Sequence, residues 1–335
     1  MSKSKAYVLL PLISLMLLTG CAQKTKIAML QPAEIDIKAK NIAVLPFKND
    51  RKTGLTGKLE STLSNVRFNG KPYFNVVDRR NINSTIKEQK RQSGGLYNEN
   101  SEVEIGSLMG ASALISGAIL NIGKQDQRHR EDRRKCEKKS CYDYTVSCTT
   151  RNISLSANIR ITNVTLGTVP YSDSITRSFL TKHCSDDRVM LPSKEQGAQQ
   201  LAQSMAQQFI FKLKPNYVNI QVTLLDSADL DYTNREESLL KNGLKYLTQK
   251  RLDKAEQLLS NLLTSTQFKS YVAAYNLGVV NEAKGDLAKA AEYYKLADRL
   301  QIEPVDEINQ AVLRIQSSLV KNKQARGQVD RNLSK

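Results

Sequence analysis

The sequence predicts two folded parts: an α/β domain in which a mixed sheet is flanked by helices, and then an all-α domain of helical repeats. Short β-branched runs alternate with helical segments over residues 41–226, whereas residues 234–320 show unbroken helical periodicity. An internal repeat within the second part supports this division. The chain has 335 residues, of which 40% are hydrophobic, so it is long enough to bury two cores.

Residues 1–20 are predicted to be a secretory signal peptide. Lys3 and Lys5 precede the apolar run AYVLLPLISLMLL, which is too short to span a bilayer, and Leu18-Thr19-Gly20-Cys21 follows it. This ending resembles the bacterial lipobox, in which the cysteine thiol is diacylated before cleavage. The resemblance implies a mature chain that begins at the lipidated Cys21. An ordinary signal peptide that happens to end in a cysteine is the alternative.

The residues after Cys21 predict where the lipoprotein resides. Ala22 and Gln23 lack the aspartate that retains such lipoproteins in the inner membrane. The resemblance therefore implies attachment to the outer membrane, on its periplasmic side. Residues 21–40 are predicted to be a lipid-anchored tether.

The formal net charge of +17 raises the question of nucleic-acid binding. An exported lipoprotein rarely meets DNA, so no nucleic-acid partner is expected. A basic surface suits anionic lipid headgroups, acidic glycans or an acidic protein. A basic surface that is simply solvated is the alternative.

The elements of the α/β domain follow from periodicity and from turn residues. Pro46 ends the first apolar run, leucines at helical spacing follow it, and Gly167 marks the turn between two alternating runs. Pro215 ends a long amphipathic helix. The predicted strands are residues 41–47, 73–78, 112–122, 153–165, 168–180 and 217–225. The predicted helices are residues 55–66, 81–92, 103–110 and 194–215.

Four cysteines remain once Cys21 is assigned to lipidation: Cys136, Cys141, Cys148 and Cys184. An even number of cysteines in an oxidising compartment favours two disulfides, and the three possible connectivities stay open. Zinc is the competing hypothesis, with His183 as an additional ligand, but the C-x4-C and C-x6-C spacings do not give C-x2-C pairs. We therefore expect no metal, and a disulfide-bridged polar loop over residues 124–151.

The repeat aligns residues 239–263 with residues 274–298, pairing Gly243 with Gly278 and Ala255 with Ala290. It resembles the tetratricopeptide repeat, whose small residues let paired helices cross closely. The resemblance implies a concave groove that binds a protein partner. Its expected lining, here called the groove positions, is Leu240, Leu244, Leu247, Tyr275, Val279 and Glu282. Burial of these residues between the helices is the alternative. Residues 321–335 are predicted to be a basic, flexible tail.

Several motifs in the first domain together resemble the CsgG family, outer-membrane lipoproteins of the curli secretion system. They are NIAVLPFKNDRKTG, FNVVDRRNINSTIKEQK, GASALISGAILNIG and SANIRITNVTLGTV, in this order along the chain. The resemblance implies the α/β fold, the lipid anchor and, in the family, a ring whose subunits each donate two β-hairpins to a shared membrane channel.

The chain departs from that family where the first hairpin is expected. Residues 124–139 carry eight basic and four acidic side chains. An arginine or lysine facing mid-bilayer lipid costs roughly 2 to 4 kcal/mol in a membrane strand. This segment is therefore not expected to cross a membrane.

Enzymatic motifs are absent from the sequence: we find no H-E-x-x-H, G-x-S-x-G or G-x-G-x-x-G pattern. We expect a non-enzymatic adaptor without a cofactor, which acts through its repeats in envelope assembly or secretion. The alternatives are a subunit of an oligomeric secretion channel, which requires a homo-oligomer, and a glycan-binding lipoprotein.

Overall fold

The computed structural model describes residues 23–77, 99–137 and 140–333, and it divides the chain into two compact units. The sheet unit comprises the described residues within Leu30–Val218 together with residues 320–333. Among the described residues, the repeat unit comprises those from 23 to 29 together with Asn219–Leu319. The predicted class, a mixed sheet with helices and then a helical part, is confirmed.

The described strands differ strongly in length, from two residues to 25. In chain order they are β1 (Lys24–Gln31), β2 (Asn41–Val44), β3 (Arg67–Phe68), β4 (Lys71–Pro72), β5 (Asn75–Val76), β6 (Ala113–Glu137), β7 (Ser140–Asn163), β8 (Thr168–Cys184) and β9 (Asn216–Thr223).

The described helices fall into two groups, one flanking the sheet and one in the repeats. In chain order they are α1 (Leu55–Ser64), α2 (Glu99–Leu108), α3 (Lys194–Lys212), α4 (Asn234–Thr248), α5 (Leu252–Ser265), α6 (Tyr271–Lys284), α7 (Leu287–Leu300) and α8 (Asp306–Leu333). No helix among the described residues combines the length and the apolar character that crossing a membrane requires. The helix predicted over residues 81–92 lies outside the described residues.

The sheet unit is built on a five-stranded mixed sheet in the order β5-β2-β6-β7-β8. Strand β2 is parallel to β5 and β6, whereas β6, β7 and β8 are antiparallel. Every second residue of β7 from Ile153 to Ile161 is fully buried in the main core. This alternation is the one the sequence predicted for residues 153–165.

Helix α3 covers the apolar face of the sheet. A capping box of Ser193 and Gln196 fixes its start. Gly197 allows close approach to β7, because a Cβ at this position would lie 2.3 Å from the Ile153 side chain. The sheet core therefore lies between β7 and the helix face that carries Ala198, Leu201, Ala202, Met205 and Phe209.

The predicted polar loop over residues 124–151 is wrong, because this segment continues β6 and β7 as one long hairpin. Opposite charges pair across the two strands, as Arg151 does with Asp126 and Arg134 does with Asp143. These charges are costly in a strand that faces membrane lipid. In water the same charges are compatible with a strand.

The predicted tether is also wrong from Lys24 on, because β1 pairs with β9. Ile27, Met29 and Ile37 are buried, so this polar-looking segment contributes alternating apolar side chains to folded structure. Their period of two matches a strand, although lysines surround them in the sequence.

The tail prediction is wrong for residues 321–333, which form the second half of α8. Ala325 and Val329 belong to the core of the sheet unit, and Gln328 accepts a hydrogen bond of 2.8 Å from the Ala33 amide. Arg331 lies 2.5 Å from Asp36. Apolar residues at helical spacing and these polar contacts together attach the basic segment to the sheet unit.

The repeat unit contains two helical hairpins, α4 with α5 and α6 with α7. The aligned glycines mark the close crossings: a Cβ at Gly243 would lie 2.9 Å from Leu259, and one at Gly278 would lie 2.5 Å from Tyr294. The internal repeat thus corresponds to two structurally equivalent helix pairs.

Candidate functional site

Beyond the part of the sheet that α3 covers, β6, β7 and the end of β8 continue as a ribbon. We define the ribbon as residues 124–137, 140–151 and 181–184. At the usual rise per residue its β6 segment is about 45 Å long. Its side chains lie outside the main core, with one small buried cluster of Val146, Cys148 and Cys184.

The strand register gives the ribbon two distinct faces. His129, Cys148 and Cys184 lie directly opposite one another across the three strands, so they share one face, here called the histidine face. Arg128 and Arg130 alternate with His129 and occupy the other face, here called the arginine face.

Two disulfides connect the strands of the ribbon, as the cysteine count predicted. Cys136 bonds to Cys141 at the turn end of the hairpin. Cys148 bonds to Cys184 and thereby joins β7 to β8. The first disulfide lies on the arginine face and the second on the histidine face, so each face of the ribbon carries one cross-link. The structure thus selects one of the three connectivities that the sequence left open.

The segment after β8 folds back over the histidine face. Arg133 donates to Asp186 over 2.7 Å, and the Tyr144 hydroxyl donates to the same carboxylate over 2.9 Å. The Cys184 amide donates to Asp187 over 2.6 Å, and this bond lowers the pKa of that carboxyl group. These contacts cover the Cys148–Cys184 disulfide.

Most charges of the ribbon are paired. Arg151 forms two hydrogen bonds of 2.7 Å with Asp126 and lowers the pKa of this carboxyl group to about 2. Arg134 forms a similar bidentate pair with Asp143 at 2.8 and 3.0 Å. These pairs link β6 to β7 and hold the side chains in defined positions.

Glu131 is the centre of a charged group on the histidine face. Lys182 donates to both of its oxygens over 2.8 and 2.9 Å, and His129 Nε2 lies 3.0 Å from Oε1. The Lys182 ammonium, followed by His129, lowers the pKa of Glu131. Together with Cys148, His129 and Glu131 form a group of potential metal ligands. The disulfide engages the Cys148 sulfur.

Arg128 and Arg130 are exposed, and within the described ranges 23–77, 99–137 and 140–333 neither lies within salt-bridge distance of a carboxylate. Ser147 and Thr149 face them across the hairpin. These four residues contribute to a depression of about 560 Å³. Two guanidinium groups and two hydroxyls form a surface suited to carboxylate or phosphate oxygens. Sequence reasoning missed this site because only the register brings the four side chains together.

The groove positions are not available to a partner. All six are exposed by 4% or less. The chain itself occupies the surface they were expected to line: the Tyr275 hydroxyl donates to the Thr223 carbonyl over 2.7 Å, and the Asn276 amide donates to the Leu225 carbonyl over 2.7 Å. Ile27, Val222 and Leu224 pack into the same core. The predicted groove is therefore wrong, and the burial alternative is correct for Leu240, Leu244, Leu247, Tyr275, Val279 and Glu282.

Glu282 has a structural partner within the repeat unit. Its carboxylate accepts hydrogen bonds from Arg314 at 3.0 and 2.9 Å and from the Tyr294 hydroxyl at 2.6 Å. The carboxylate is fully buried, and Arg314 compensates its charge. This residue stabilises the packing of α8 on α6.

A second buried carboxylate, Glu102, lies in the sheet unit and was not singled out by sequence. It accepts hydrogen bonds from Ser116 at 2.7 Å and from Thr162 at 2.5 Å, and Arg160 lies 3.7 Å away. The adjacent cavity of about 180 Å³ is too small for most ligands. These partners give Glu102 a structural role in joining α2 to the sheet.

The remaining predicted site residue, Cys21, lies outside the described residues. A scan against protein-family models finds no match to this chain, and a search of curated proteins finds no relative.

Proposed function

We propose that the protein is a non-enzymatic scaffold lipoprotein, anchored through Cys21 on the periplasmic side of the outer membrane, which binds an acidic partner protein through the arginine face of the ribbon. The observation that supports the proposal is the pair of exposed arginines, Arg128 and Arg130, on a hairpin that two disulfides hold rigid. The proposed binding surface therefore lies on the sheet unit, and not on the repeats as the sequence predicts.

Rigidity favours binding at this surface. An unconstrained charged loop loses conformational entropy when it docks, and a preorganised one loses less. The disulfides and the bidentate pairs Arg151–Asp126 and Arg134–Asp143 hold the strands together before a partner arrives. Arginine is enriched at protein interfaces, where its planar group binds carboxylates in a bidentate manner.

The repeat unit fits a structural role in this proposal. Its inner surface is filled by β9 and the segment that follows, which leaves the outer helix faces for solvent. The two histidines of the chain are also engaged: His129 binds Glu131, and His183 Nδ1 lies 2.8 Å from the Val189 carbonyl. The proposal accordingly names no catalytic residue.

Charge reversal tests the proposal. The double variant Arg128→Glu/Arg130→Glu should lose the partner that co-purifies with the wild-type chain, because the acidic partner would then face two carboxylates. The matched control is Arg235→Glu/Lys241→Glu, which reverses two exposed charges on α4. Loss of the partner only in the control would place the binding surface on the repeats and overturn the proposal.

A second candidate function is a subunit of an oligomeric secretion channel. The observation that favours it is the pair of open strand edges. Strand β8 is an edge of the described sheet, and β6 pairs with β2 only over Ala113–Ile115. Unpaired edges can join copies side by side. Ion conductance in planar bilayers by the purified, detergent-extracted protein would support this function, and its absence would oppose it.

A further inference from the structure

Four potential metal ligands meet on the histidine face of the ribbon. His129, Cys148 and Cys184 form one row across β6, β7 and β8, and Glu131 lies two residues from His129 on the same face. One ligand atom from each of His129, Glu131 and Cys148 lies within 4.8 Å of the other two. The Cys184 sulfur lies 3.9 Å from Glu131 Oε2.

The ligand atoms of His129, Glu131 and Cys148 lie within roughly 1.5 Å of the spacing that a bound zinc ion requires. Zinc bonds of roughly 2.0 to 2.3 Å in a tetrahedron place neighbouring ligand atoms about 3.3 to 3.8 Å apart. For the site to form, the Cys148 and Cys184 sulfurs must separate from bonding distance, and the other ligand atoms must move closer together. The backbone positions are already fixed by the hydrogen-bonded register of the three strands.

In the oxidised protein the two sulfur atoms are bonded to each other and do not offer thiolates. We propose that reduction of the Cys148–Cys184 disulfide creates a zinc site whose ligands are these two thiolates, the His129 imidazole and the Glu131 carboxylate. The metal then connects β7 to β8 in place of the covalent bond. The ribbon would thereby keep a cross-link between β7 and β8 in both redox states.

The chemistry balances with a dithiol as the reductant. The dithiol supplies two electrons and two protons, its sulfurs form a new disulfide, and the S–S bond between Cys148 and Cys184 becomes two thiols. Zn²⁺ then displaces one proton from each thiol when it binds. The His129 imidazole binds in its neutral form, since the metal needs the lone pair of a ring nitrogen.

Lys182 competes with the metal for one ligand. Its ammonium group donates to both Glu131 oxygens at 2.8 and 2.9 Å, so zinc must displace it from the carboxylate. Removing this positive charge should strengthen metal binding. The expected gain is about fivefold in affinity, from the interaction of one unit charge at short range in water. A merely structural lysine would show no such effect.

Cobalt titration tests the site, because Co²⁺ bound to thiolates absorbs light and Zn²⁺ displaces it. The probe is the full chain carrying Cys21→Ala, Cys136→Ala and Cys141→Ala, which leaves Cys148 and Cys184 as its cysteines. A phosphine reduces the disulfide and is itself oxidised to the phosphine oxide with oxygen from water. If the covered disulfide resists the phosphine, the chain is reduced in denaturant and refolded with Co²⁺ present.

The expected result is one Co²⁺ per reduced chain and none per oxidised chain. His129→Ala should weaken binding about tenfold or more, and Lys182→Met should strengthen it. No thiolate-to-cobalt absorption after reduction would overturn the proposal. So would an affinity that neither His129→Ala nor Glu131→Ala changes, since the metal would then bind the thiolates alone.

A measurement on the unsubstituted protein does not depend on correct folding of the substituted probe. After reduction in the presence of Zn²⁺, an alkylating reagent should modify Cys136 and Cys141 and spare Cys148 and Cys184, as read by peptide mass spectrometry. Equal modification of Cys136, Cys141, Cys148 and Cys184 with and without zinc would contradict the site.

Discussion

The Tyr275 hydroxyl donates a 2.7 Å hydrogen bond to the Thr223 carbonyl, so the chain's own segment occupies the inner surface of its helical repeats. In a peptide-binding repeat protein an exogenous segment would make such contacts. Here Tyr275 is 1% exposed, and burial raises the pKa of its hydroxyl. The inner surface of the repeats therefore packs against a segment of its own unit.

Tyr275→Phe tests this internal contact. The variant removes the hydroxyl and leaves the Thr223 carbonyl without its donor, so the free energy of unfolding should fall by about 1 kcal/mol in urea denaturation. Tyr293→Phe is the matched control, because the Tyr293 hydroxyl bonds to no other described residue and its ring can keep its contact with Lys289. Equal effects of the two substitutions would argue against the contact.

The buried charge pair of Glu282 and Arg314 predicts a non-additive response. Arg314→Met leaves the buried Glu282 carboxylate uncompensated, which should cost about 3 to 5 kcal/mol of unfolding free energy. The double variant Glu282→Gln/Arg314→Met removes both charges, and the glutamine can still accept from Tyr294. It should therefore be more stable than Arg314→Met alone. A double variant that is less stable than the single one would refute this account.

The two disulfides should differ in their contribution to stability. The Cys148–Cys184 bond closes a separation of 36 residues and the Cys136–Cys141 bond one of five. The chain-entropy relation then gives about 4 and about 2 kcal/mol. Paired alanine substitutions, Cys148→Ala/Cys184→Ala and Cys136→Ala/Cys141→Ala, compared by urea denaturation, measure both. A larger loss from the second pair would contradict the ordering.

The lowered pKa of Asp126 predicts that the stability of the fold depends on pH in the acidic range. Arg151 lowers the pKa of this carboxyl group to about 2 in the folded chain, below its usual value of about 4. A lowered folded pKa stabilises the fold above the unfolded pKa, so this contribution is present at neutral pH and is lost between about pH 4 and pH 2.

A carboxyl NMR titration checks the Asp126 prediction. The wild-type midpoint should lie near pH 2, and Arg151→Gln should move it upward towards the usual value. Lys124→Gln should have a smaller effect, because Lys124 makes a single contact of 3.4 Å with Asp126. A wild-type midpoint close to pH 4 would show that the Arg151 pair does not persist in solution.

The sequence predicted features that depend on local periodicity. The alternation from Ile153 to Ile161 gave a half-buried strand, and the cysteine count gave two disulfides. The pairing of Cys148 with Cys184 depends on the register of β8 against β7, which no local pattern encodes. The connectivity therefore stayed open until the strands were placed.

The candidate site was harder to predict for two physical reasons. Arg128 and Arg130 become a site only because Ser147 and Thr149 face them across the hairpin, and this pairing is non-local. The prediction that the groove positions bind a partner was wrong for a different reason. A helix face that packs on its own chain and one that binds an external peptide require the same apolar residues, so Leu244 and Val279 fit both cases.

The mass and composition of the complex extracted in mild detergent test the central proposal most directly. A partner-binding scaffold predicts that this chain is recovered with a second, acidic protein, and that Arg128→Glu/Arg130→Glu is recovered without it. A large ring that contains many copies of this chain and no second protein, unchanged in the double variant, would contradict the account.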